Sequence, residues 1–423
     1  MTPYQEVGDA AWRWVLSHVR WDDDGVSIPE TPGVAVKPEY RDGMHSGVGG
    51  LAYVLAEIRL ARPWTAEEKR LAEAIAAQVR AGIPHTGDYN FFDGLVSAVG
   101  VLTALGEDPA PAVDRLTALA TPDGWPQTGF EPPRFLPGTR VTDVVLGTAG
   151  ILLAAVWADA PELGAHAADL LLAEAVEVPD GLDWAFVPAR FRTDETVWLP
   201  NFSHGVAGIA TALAVAGTRF DRPELVTSAA RGAAHLVSLG TVDGDGFVVP
   251  QRIPPGEEPV SHGWCHGGSG TSLLFRALEL AGVAEVAGAA PLVWHRRCLA
   301  GVRASGLPER LRPGFWDNDG RCCGTAGVGD VFLDAWCRDG RQEDLAFAVR
   351  LADALVARAV TEGPHAYWRF VEHRNEDPLL PPGIGWMQGA AGIAAFLLRV
   401  SRAVEGSTAA VPRMDTWWAL PGA

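Results

Sequence analysis

The side chains best suited to chemistry lie directly ahead of glycines. The stretch GRCCGTAGVGD places Cys322 and Cys323 side by side. Adjacent cysteines seldom bond to each other, because the small ring they would close strains disulfide geometry. Two earlier stretches, GWCHGGSG and PNFSHGVAGIA, place Cys265 with His266 and place His204 in the same way. Thiols and imidazoles can bind metals, act as nucleophiles or carry protons, or they can be small neighbours with structural roles.

These stretches belong to a repeat that runs along the 423 residues. Each copy has a small residue, two further residues, a glycine and then an apolar run of helical character. The other copies read HSGVGGLAYVL, GLVSAVGVLTAL, DVVLGTAGILLAAV and MQGAAGIAAFLLRV. Successive closing glycines are 50 to 65 residues apart, which gives seven units. These glycines are Gly50, Gly100, Gly150, Gly208, Gly270, Gly327 and Gly392.

Each unit also contains a second helix of different character. The segment 65–82 opens with a capping box, Thr65 and Glu68, and is polar on one face, and the segment 343–360 is similarly two-faced. The helices after the glycines are apolar nearly all round and should be buried. We therefore predict an all-α protein in which one domain, residues 1–423, forms a seven-fold α/α toroid, a double ring of inner and outer helices.

The glycines suit close packing of helices around such a ring. Without a Cβ they let the starts of the inner helices converge, and we prefer this interpretation for Gly47, Gly147 and Gly389. We also expect that the turn entering such a helix can take a positive φ. A phosphate loop is poorly supported, because the lysine of that motif is missing.

The two residues ahead of each glycine motif distinguish the units. Units four, five and six supply imidazole and thiol groups, and the other units supply mostly unremarkable residues. If the inner helices start at one end of the toroid, these groups meet at one mouth and predict a zinc site built across repeats. We interpret Cys298 and Cys337 as small buried hydrophobes. The pairs are His45-Ser46, Leu95-Val96, Val145-Leu146, Ser203-His204, Cys265-His266, Cys322-Cys323 and Met387-Gln388.

Composition excludes several other kinds of protein. The net charge is −18, which argues against nucleic acid or an anionic membrane surface as a partner. No run reaches 18 apolar residues, so we expect no membrane span. The first residues do not resemble a signal peptide and the cysteine count is odd. We therefore expect a cytoplasmic protein with free or metal-bound thiols.

The motifs resemble those of the lanthionine synthetase C-like family, the cyclases of lanthipeptide biosynthesis. PNFSHGVAGIA, GWCHGGSG and CCGTAGVGD match its three signature segments, and the seven glycine motifs match its seven-fold toroid. The resemblance covers nearly the whole chain. It implies one Zn²⁺ ion bound by Cys265, Cys322 and Cys323. Many members have Cys-His at the last pair, so this chain resembles a three-cysteine branch of the family.

The resemblance also implies catalytic residues. His204 corresponds to the family's acid/base histidine, and Asp143 to its aspartate, which could orient that histidine or deprotonate a thiol. Family members add a cysteine thiol across the double bond of dehydroalanine or dehydrobutyrine, forming (methyl)lanthionine thioether rings. Some members have an arginine where this chain has Ser261. The contribution of that arginine must come from another residue or be absent in this chain.

We also expect two further residues at the site and particular partners for the protein. His266 is expected to contact substrate or to support a ligand, and Trp264 to line or pack against the site. A dehydrated precursor peptide would be the substrate of a monomeric enzyme. A separate dehydratase would supply it, because no segment of this chain fits that activity. The alternatives are a relative that adds glutathione to dehydroamino acids in proteins, and a peptide-binding module in which zinc is structural, with His266 as its fourth ligand.

Overall fold

The structure is a computed structural model that describes residues 1–130, 132–194, 198–256, 260–309, 318–372 and 376–422. It is mainly helical, and no helix in these ranges is both long and apolar enough to cross a membrane. The helices are α1 (Pro3–Leu16), α2 (Leu51–Ala61), α3 (Ala66–Gly82), α4 (Leu95–Leu105), α5 (Ala110–Leu119), α6 (Thr148–Trp157), α7 (Pro161–Ala173), α8 (Val206–Arg219), α9 (Pro223–Leu239), α10 (Gly268–Leu280), α11 (Pro291–Ala304), α12 (Thr325–Asp339), α13 (Gln342–Arg358) and α14 (Ala390–Val404).

The even-numbered helices form the predicted inner ring. Each packs against the next, and α14 packs back against α2, so the ring is closed. Almost every residue of these helices is buried, as in α6 and α8. Burial on all sides explains why their sequences are apolar all round rather than along one stripe. The predicted α/α toroid is confirmed.

The odd-numbered helices surround that ring. Each of α7, α9, α11 and α13 packs on the inner helix that precedes it in the chain. The helix α3 begins with the predicted capping box, in which Thr65 Oγ1 accepts from the Glu68 N–H at 3.2 Å and Glu68 Oε2 accepts from the Thr65 N–H at 2.8 Å. The helix α1 packs against α14, so the N-terminal helix supplies the outer partner of the last inner helix.

Short antiparallel hairpins, which the sequence analysis did not predict, follow several outer helices. They are the pairs β1 (Arg20–Asp22) with β2 (Gly25–Ser27), β3 (Val176–Val178) with β4 (Gly181–Asp183), β5 (Thr241–Asp243) with β6 (Gly246–Val248), β7 (Val360–Glu362) with β8 (His365–Tyr367), and β9 (Phe370–Val371) with β10 (Leu379–Leu380). Strands of two or three residues are too short to show a period of two in the sequence.

The glycines that begin the inner helices permit a close approach, but of their own preceding loop rather than of neighbouring helix starts, and they do not use a positive φ. Gly205 has φ −152° and Gly324 has φ −122°, both extended. A Cβ on Gly205 would overlap the carbonyl oxygen of Leu199, and one on Gly324 would overlap that of Asn318. The expectation of a left-handed turn is therefore wrong. These residues are glycine because the preceding loop folds back over them.

The predicted register of unit two is also wrong. Its inner helix is capped by Gly94, so the residues ahead of the motif are Phe92 and Asp93 rather than Leu95-Val96. Ser97 occupies the position of the closing glycine in this unit, and its Oγ accepts from the Met44 N–H at 3.1 Å. Because Ser97 breaks the glycine pattern, the sequence match slipped to Gly100, one helical turn further on.

The seven loops ahead of the inner helices are joined edge to edge by backbone hydrogen bonds of 2.7–3.3 Å. Every loop donates an N–H to the carbonyl of the next, and the seventh donates to the first. We call this closed series the backbone belt. It fixes the seven loops at one end of the toroid. Its bonds run from Met44 to Phe92, Phe91 to Val145, Val145 to Ser203, Ser203 to Cys265, Cys265 to Cys322, Cys322 to Met387 and Met387 to His45.

Candidate metal centre

Three cysteine sulphurs meet where units five and six join. The Sγ atoms of Cys265, Cys322 and Cys323 lie within 4.8 Å of one another, and all three residues are buried. The Sγ atoms of Cys265 and Cys323 are 3.1 Å apart, well beyond the roughly 2.05 Å of a disulfide. The belt bond from the Cys265 N–H to the Cys322 carbonyl, 3.3 Å long, holds the two loops together. The sequence predicted this grouping.

The donor set suits a metal ion that prefers sulphur. In the metal-free protein, burial raises the pKa of the Cys265 and Cys323 thiols. Hydrogen bonds from these two sulphurs lower the pKa of the Cys322 thiol. A cation in this space would allow all three thiols to ionise, and zinc binds thiolates at about 2.3 Å. The residues present therefore fit a zinc ion.

A histidine–carboxylate pair lies beside the sulphurs, in units three and four. His204 Nδ1 is 2.5 Å from Asp143 Oδ2. Asp143 is fully buried, and its other oxygen accepts from the Leu146 N–H at 2.7 Å. Burial raises the pKa of Asp143, and the hydrogen bond with His204 opposes that shift. The His204 side chain is 27% exposed, so the ring can be reached from the mouth while its partner cannot.

A buried asparagine that the sequence analysis overlooked holds the His204 loop. Asn201 Oδ1 accepts from the His204 N–H at 2.8 Å and from Ser203 Oγ at 3.2 Å. Asn201 lies four residues before Gly205, just as Asp143 lies four before Gly147. Asparagine and aspartate often bond the backbone shortly ahead in this manner. That shared register is the signal that could have revealed Asn201.

His266 and Trp264, on either side of Cys265, lie in different surroundings. The His266 ring is 5.5 Å from the His204 ring, between centroids, so both imidazoles share the mouth. Burial, with the nearby His204, lowers the pKa of His266 to about 3. In the described part of the chain the candidate metal group consists of the three sulphurs, and His266 is not a member. Trp264 is 5% exposed and packs against Phe202 with ring centroids 5.3 Å apart.

On the opposite side of the sulphurs lies His45, which the sequence analysis placed in register without assigning it a role. Burial lowers the pKa of His45, but a hydrogen bond with Cys322 and the charges of Cys322 and Asp93 outweigh it and raise the pKa overall. Asp93, in unit two, has no hydrogen-bond partner for Oδ1 among the described residues. Burial raises the pKa of Asp93 to about 7.

Ser261, where an arginine was expected, lies in the loop between β6 and α10, and the described arginine of that loop, Arg252, is exposed. Ser261 is buried, and its Oγ accepts from the Gly263 N–H at 3.4 Å within that loop. Arg321 precedes Cys322 in the chain. It is buried and forms an ion pair with Asp330.

Comparison with known proteins agrees with the fold and identifies the family of the chain. The sequence model of the family described as "Lanthionine synthetase C-like protein" matches residues 38–415. The chain belongs to the lanthionine synthetase C-like family, and its buried three-cysteine cluster can hold a metal ion. No curated protein sequence matches the chain.

Solved structures with the same architecture share little sequence with this chain. Nisin cyclase superposes with a TM-score of 0.62 at 13% identity, covering 92% of this chain and 95% of its own. The cellobiose 2-epimerase of Spirochaeta thermophila gives a TM-score of 0.51 at 12% identity, covering 95% and 96%. The Lin0763 protein of Listeria innocua gives 0.50 at 11% identity, covering 95% and 98%. At such identities these likenesses show the α/α toroid alone.

Proposed function

We propose that this protein is a zinc-dependent peptide cyclase. It would add cysteine thiols of a dehydrated precursor peptide to dehydroalanine or dehydrobutyrine, forming (methyl)lanthionine thioether rings. The observation that carries the proposal is the meeting of three buried sulphurs and the His204–Asp143 pair at one mouth of the toroid. Family membership supports the same reaction class.

Cys265, Cys322 and Cys323 would hold the zinc ion. A zinc ion held by these three cysteines would supply a Lewis acid that favours the thiolate form of a substrate thiol at neutral pH. Three thiolates on Zn²⁺ give a net charge of −1. This charge is more negative than that of a two-cysteine, one-histidine set, so it should leave a substrate thiolate more nucleophilic.

His204 would move the proton that balances the reaction. The thiol S–H bond is lost, a C–S bond forms at the β-carbon of the dehydro residue, and the resulting enolate takes a proton at Cα. With Nδ1 bonded to Asp143, the Nε2 atom of His204 is left to exchange that proton. Asp143 is fully buried, so we assign it to orienting the ring rather than to meeting a substrate thiol.

A cavity opens at the mouth beside units one and seven. A cavity of about 280 Å³ borders His45, Ser46 and Gln388 of the belt loops and the strands β9 and β10. His266 shares the mouth with His204, so we propose that it contacts the peptide near the reacting cysteine. Trp264 is buried beneath, so its proposed contribution is to support Cys265 by packing.

The test is ring closure with purified components. The zinc-loaded protein is incubated with a peptide containing dehydroalanine and one cysteine, and free thiol is then capped with an alkylating reagent. Cyclisation leaves the peptide mass unchanged and abolishes capping, so mass spectrometry should show loss of the alkylated species. Spontaneous addition without protein sets the baseline. A peptide that remains fully alkylated would contradict the proposal.

The same assay distinguishes the alternatives. When glutathione is added with a peptide that lacks cysteine, a free-thiol ligase would produce a mass gain of one glutathione. A binding module would alter neither peptide, although it would retain them on a column carrying the protein. The cyclase proposal predicts a clear preference for the internal thiol.

A further inference from the structure

The belt brings a residue of unit one next to a sulphur of unit six. The Cys322 N–H donates to the Met387 carbonyl at 2.8 Å, and the Met387 N–H donates to the His45 carbonyl at 3.0 Å. His45 is therefore two belt steps from Cys322, on the side away from His204. Its imidazole reaches past unit seven and shares a hydrogen bond with the Cys322 thiol.

The surroundings of His45 hold the ring in that direction. Nδ1 is bonded to Ser46 Oγ at 2.9 Å, and the ring meets Phe92 edge-on at 4.9 Å. Unit seven has a glycine, Gly385, beside His45, and the missing side chain leaves room for the contact between His45 and Cys322. A Cβ on Gly385 would lie 2.7 Å from the Ser46 Cα and 2.9 Å from the His45 carbonyl oxygen. With Nδ1 occupied by Ser46, the other ring nitrogen is the one available to sulphur.

We propose that His45 is a positioning residue that donates a hydrogen bond to the Cys322 sulphur and fixes it as a metal ligand. This inference rests on the proposed metal centre. His45 is not a member of the group whose ligand atoms lie within 4.8 Å of one another, so it supports a ligand rather than acting as one. Hydrogen bonds to ligating groups set their direction and basicity, and their loss typically lowers metal affinity by about 10- to 100-fold.

A cluster of three thiolates has a particular need for such a donor. Cys265 and Cys323 lie against each other, while Cys322 has a hydrogen-bonding partner from outside the cluster. A donor to that sulphur withdraws electron density from a centre that carries net negative charge when zinc is bound. It also prevents the Cys322 side chain from rotating away from the other two sulphurs.

The test compares His45→Leu, which removes the donor, with His45→Gln, which keeps an N–H in the side chain. His85→Leu serves as a matched control, because His85 is an exposed histidine in the short turn that follows α3. Zinc affinity is measured by competition with a chromophoric chelator. The protein loaded with Co²⁺ is then examined for its thiolate-to-cobalt charge-transfer band, and thermal unfolding of the metal-free proteins is recorded.

We expect His45→Leu to bind zinc about 10- to 100-fold more weakly and to shift the cobalt band. His45→Gln should recover part of both, and the control should match the wild type. Equal zinc affinity and an unchanged band in His45→Leu would overturn the inference. If that variant fails to fold, His45→Ala, which also lacks the donor, would overturn the inference by showing wild-type affinity and band position. Wild-type protein that binds zinc but closes no rings would count against the proposed function alone, because the metal measurements do not depend on turnover.

Discussion

Asp143 and His204 are 61 residues apart in the chain, yet their side chains are joined by a hydrogen bond of 2.5 Å. The belt bond from the Val145 N–H to the Ser203 carbonyl, 3.2 Å long, sets the distance between their loops. The orientation of the His204 imidazole therefore depends on two neighbouring units, whose separation is set by a backbone hydrogen bond. Several consequences of this arrangement can be measured.

Replacing His204 by Asn should retain zinc and reduce ring formation by about 10²- to 10⁴-fold, because a positioned acid/base group is lost. Asp143→Asn should cost less, since the ring remains but loses its fixed orientation. The matched control is His235→Asn, because His235 also faces an aspartate, Asp183, at 3.4 Å but lies on α9. Single-turnover rates with a dehydrated peptide provide the measurement. An unchanged rate in His204→Asn would remove this residue from the mechanism.

Cysteine substitutions should separate metal binding from reactivity. Cys265→Ala and Cys322→Ala should lose most of the zinc, whereas Cys323→His should keep it, because imidazole also binds zinc, but should slow thiol addition. Cys298→Ala, at a buried cysteine on α11, should bind zinc normally. Metal content and X-ray absorption are recorded with and without a small thiol. A zinc spectrum that already shows four protein ligands and does not change with thiol would identify a structural site.

Asp93 should make stability depend on pH. Its pKa is raised from an ordinary 3.8 to about 7 in the folded protein, chiefly by burial. The folded state therefore holds this proton more tightly than the unfolded state. Its contribution to stability is complete below pH 3.8, falls as pH rises to about 7 and is constant above that. The loss is up to about 4 kcal/mol.

The variant Asp93→Asn, which cannot ionise, should show no such loss. It should exceed the wild type in free energy of unfolding at pH 8, and the difference should shrink towards pH 4. Urea unfolding of the metal-free proteins at several pH values measures this, with Asp114→Asn on the outer surface as a control. Parallel pH profiles for wild type and Asp93→Asn would be inconsistent with a raised pKa.

Gly205→Ala should disturb the loop that carries His204. The added Cβ would overlap the Leu199 carbonyl, so the loop must move, and we expect a loss of more than about 2 kcal/mol in unfolding free energy. Gly87→Ala is the control, because a Cβ there meets no atom within 4 Å. It should change stability by no more than about 0.5 kcal/mol. Equal stability of both variants would mean that the loop tolerates a side chain.

Local pattern was enough to predict the toroid and a group of thiols and imidazoles at one end of it. The glycine motif repeats before each inner helix, and three consecutive units have such side chains in one register, so His204, Cys265, His266, Cys322 and Cys323 could be grouped before any contact was known. The family resemblance then singled out the three cysteines as metal ligands. The mistake in unit two has a local cause as well. Ser97 takes the place of a glycine, and its hydroxyl accepts from the Met44 N–H alongside the belt bond to Phe92, which a search for glycines cannot detect.

Contacts between distant units could not be predicted from the local sequence pattern. His45 meets Cys322 because unit seven stands between units one and six in a closed ring, and nothing near residue 45 indicates this. Asn201 acts through hydrogen bonds within its own loop, so its role was recoverable from its spacing to Gly205. The hairpins after the outer helices were missed because strands of three residues carry little sequence signal.

The pairing of α1 with α14 has a consequence for how the protein is made. Of the described helices, α1 is synthesised earliest and its partner α14 latest, and α1 lies outside the residues matched by the family model. Trp12, Trp14 and Val15 of α1 are buried in the folded protein, so they lack part of their final packing partners until α14 has been synthesised. Such long-range closure slows folding. We expect nascent chains to depend on chaperones, and a version permuted to begin at residue 38 and end with α1 to mature faster than the natural order.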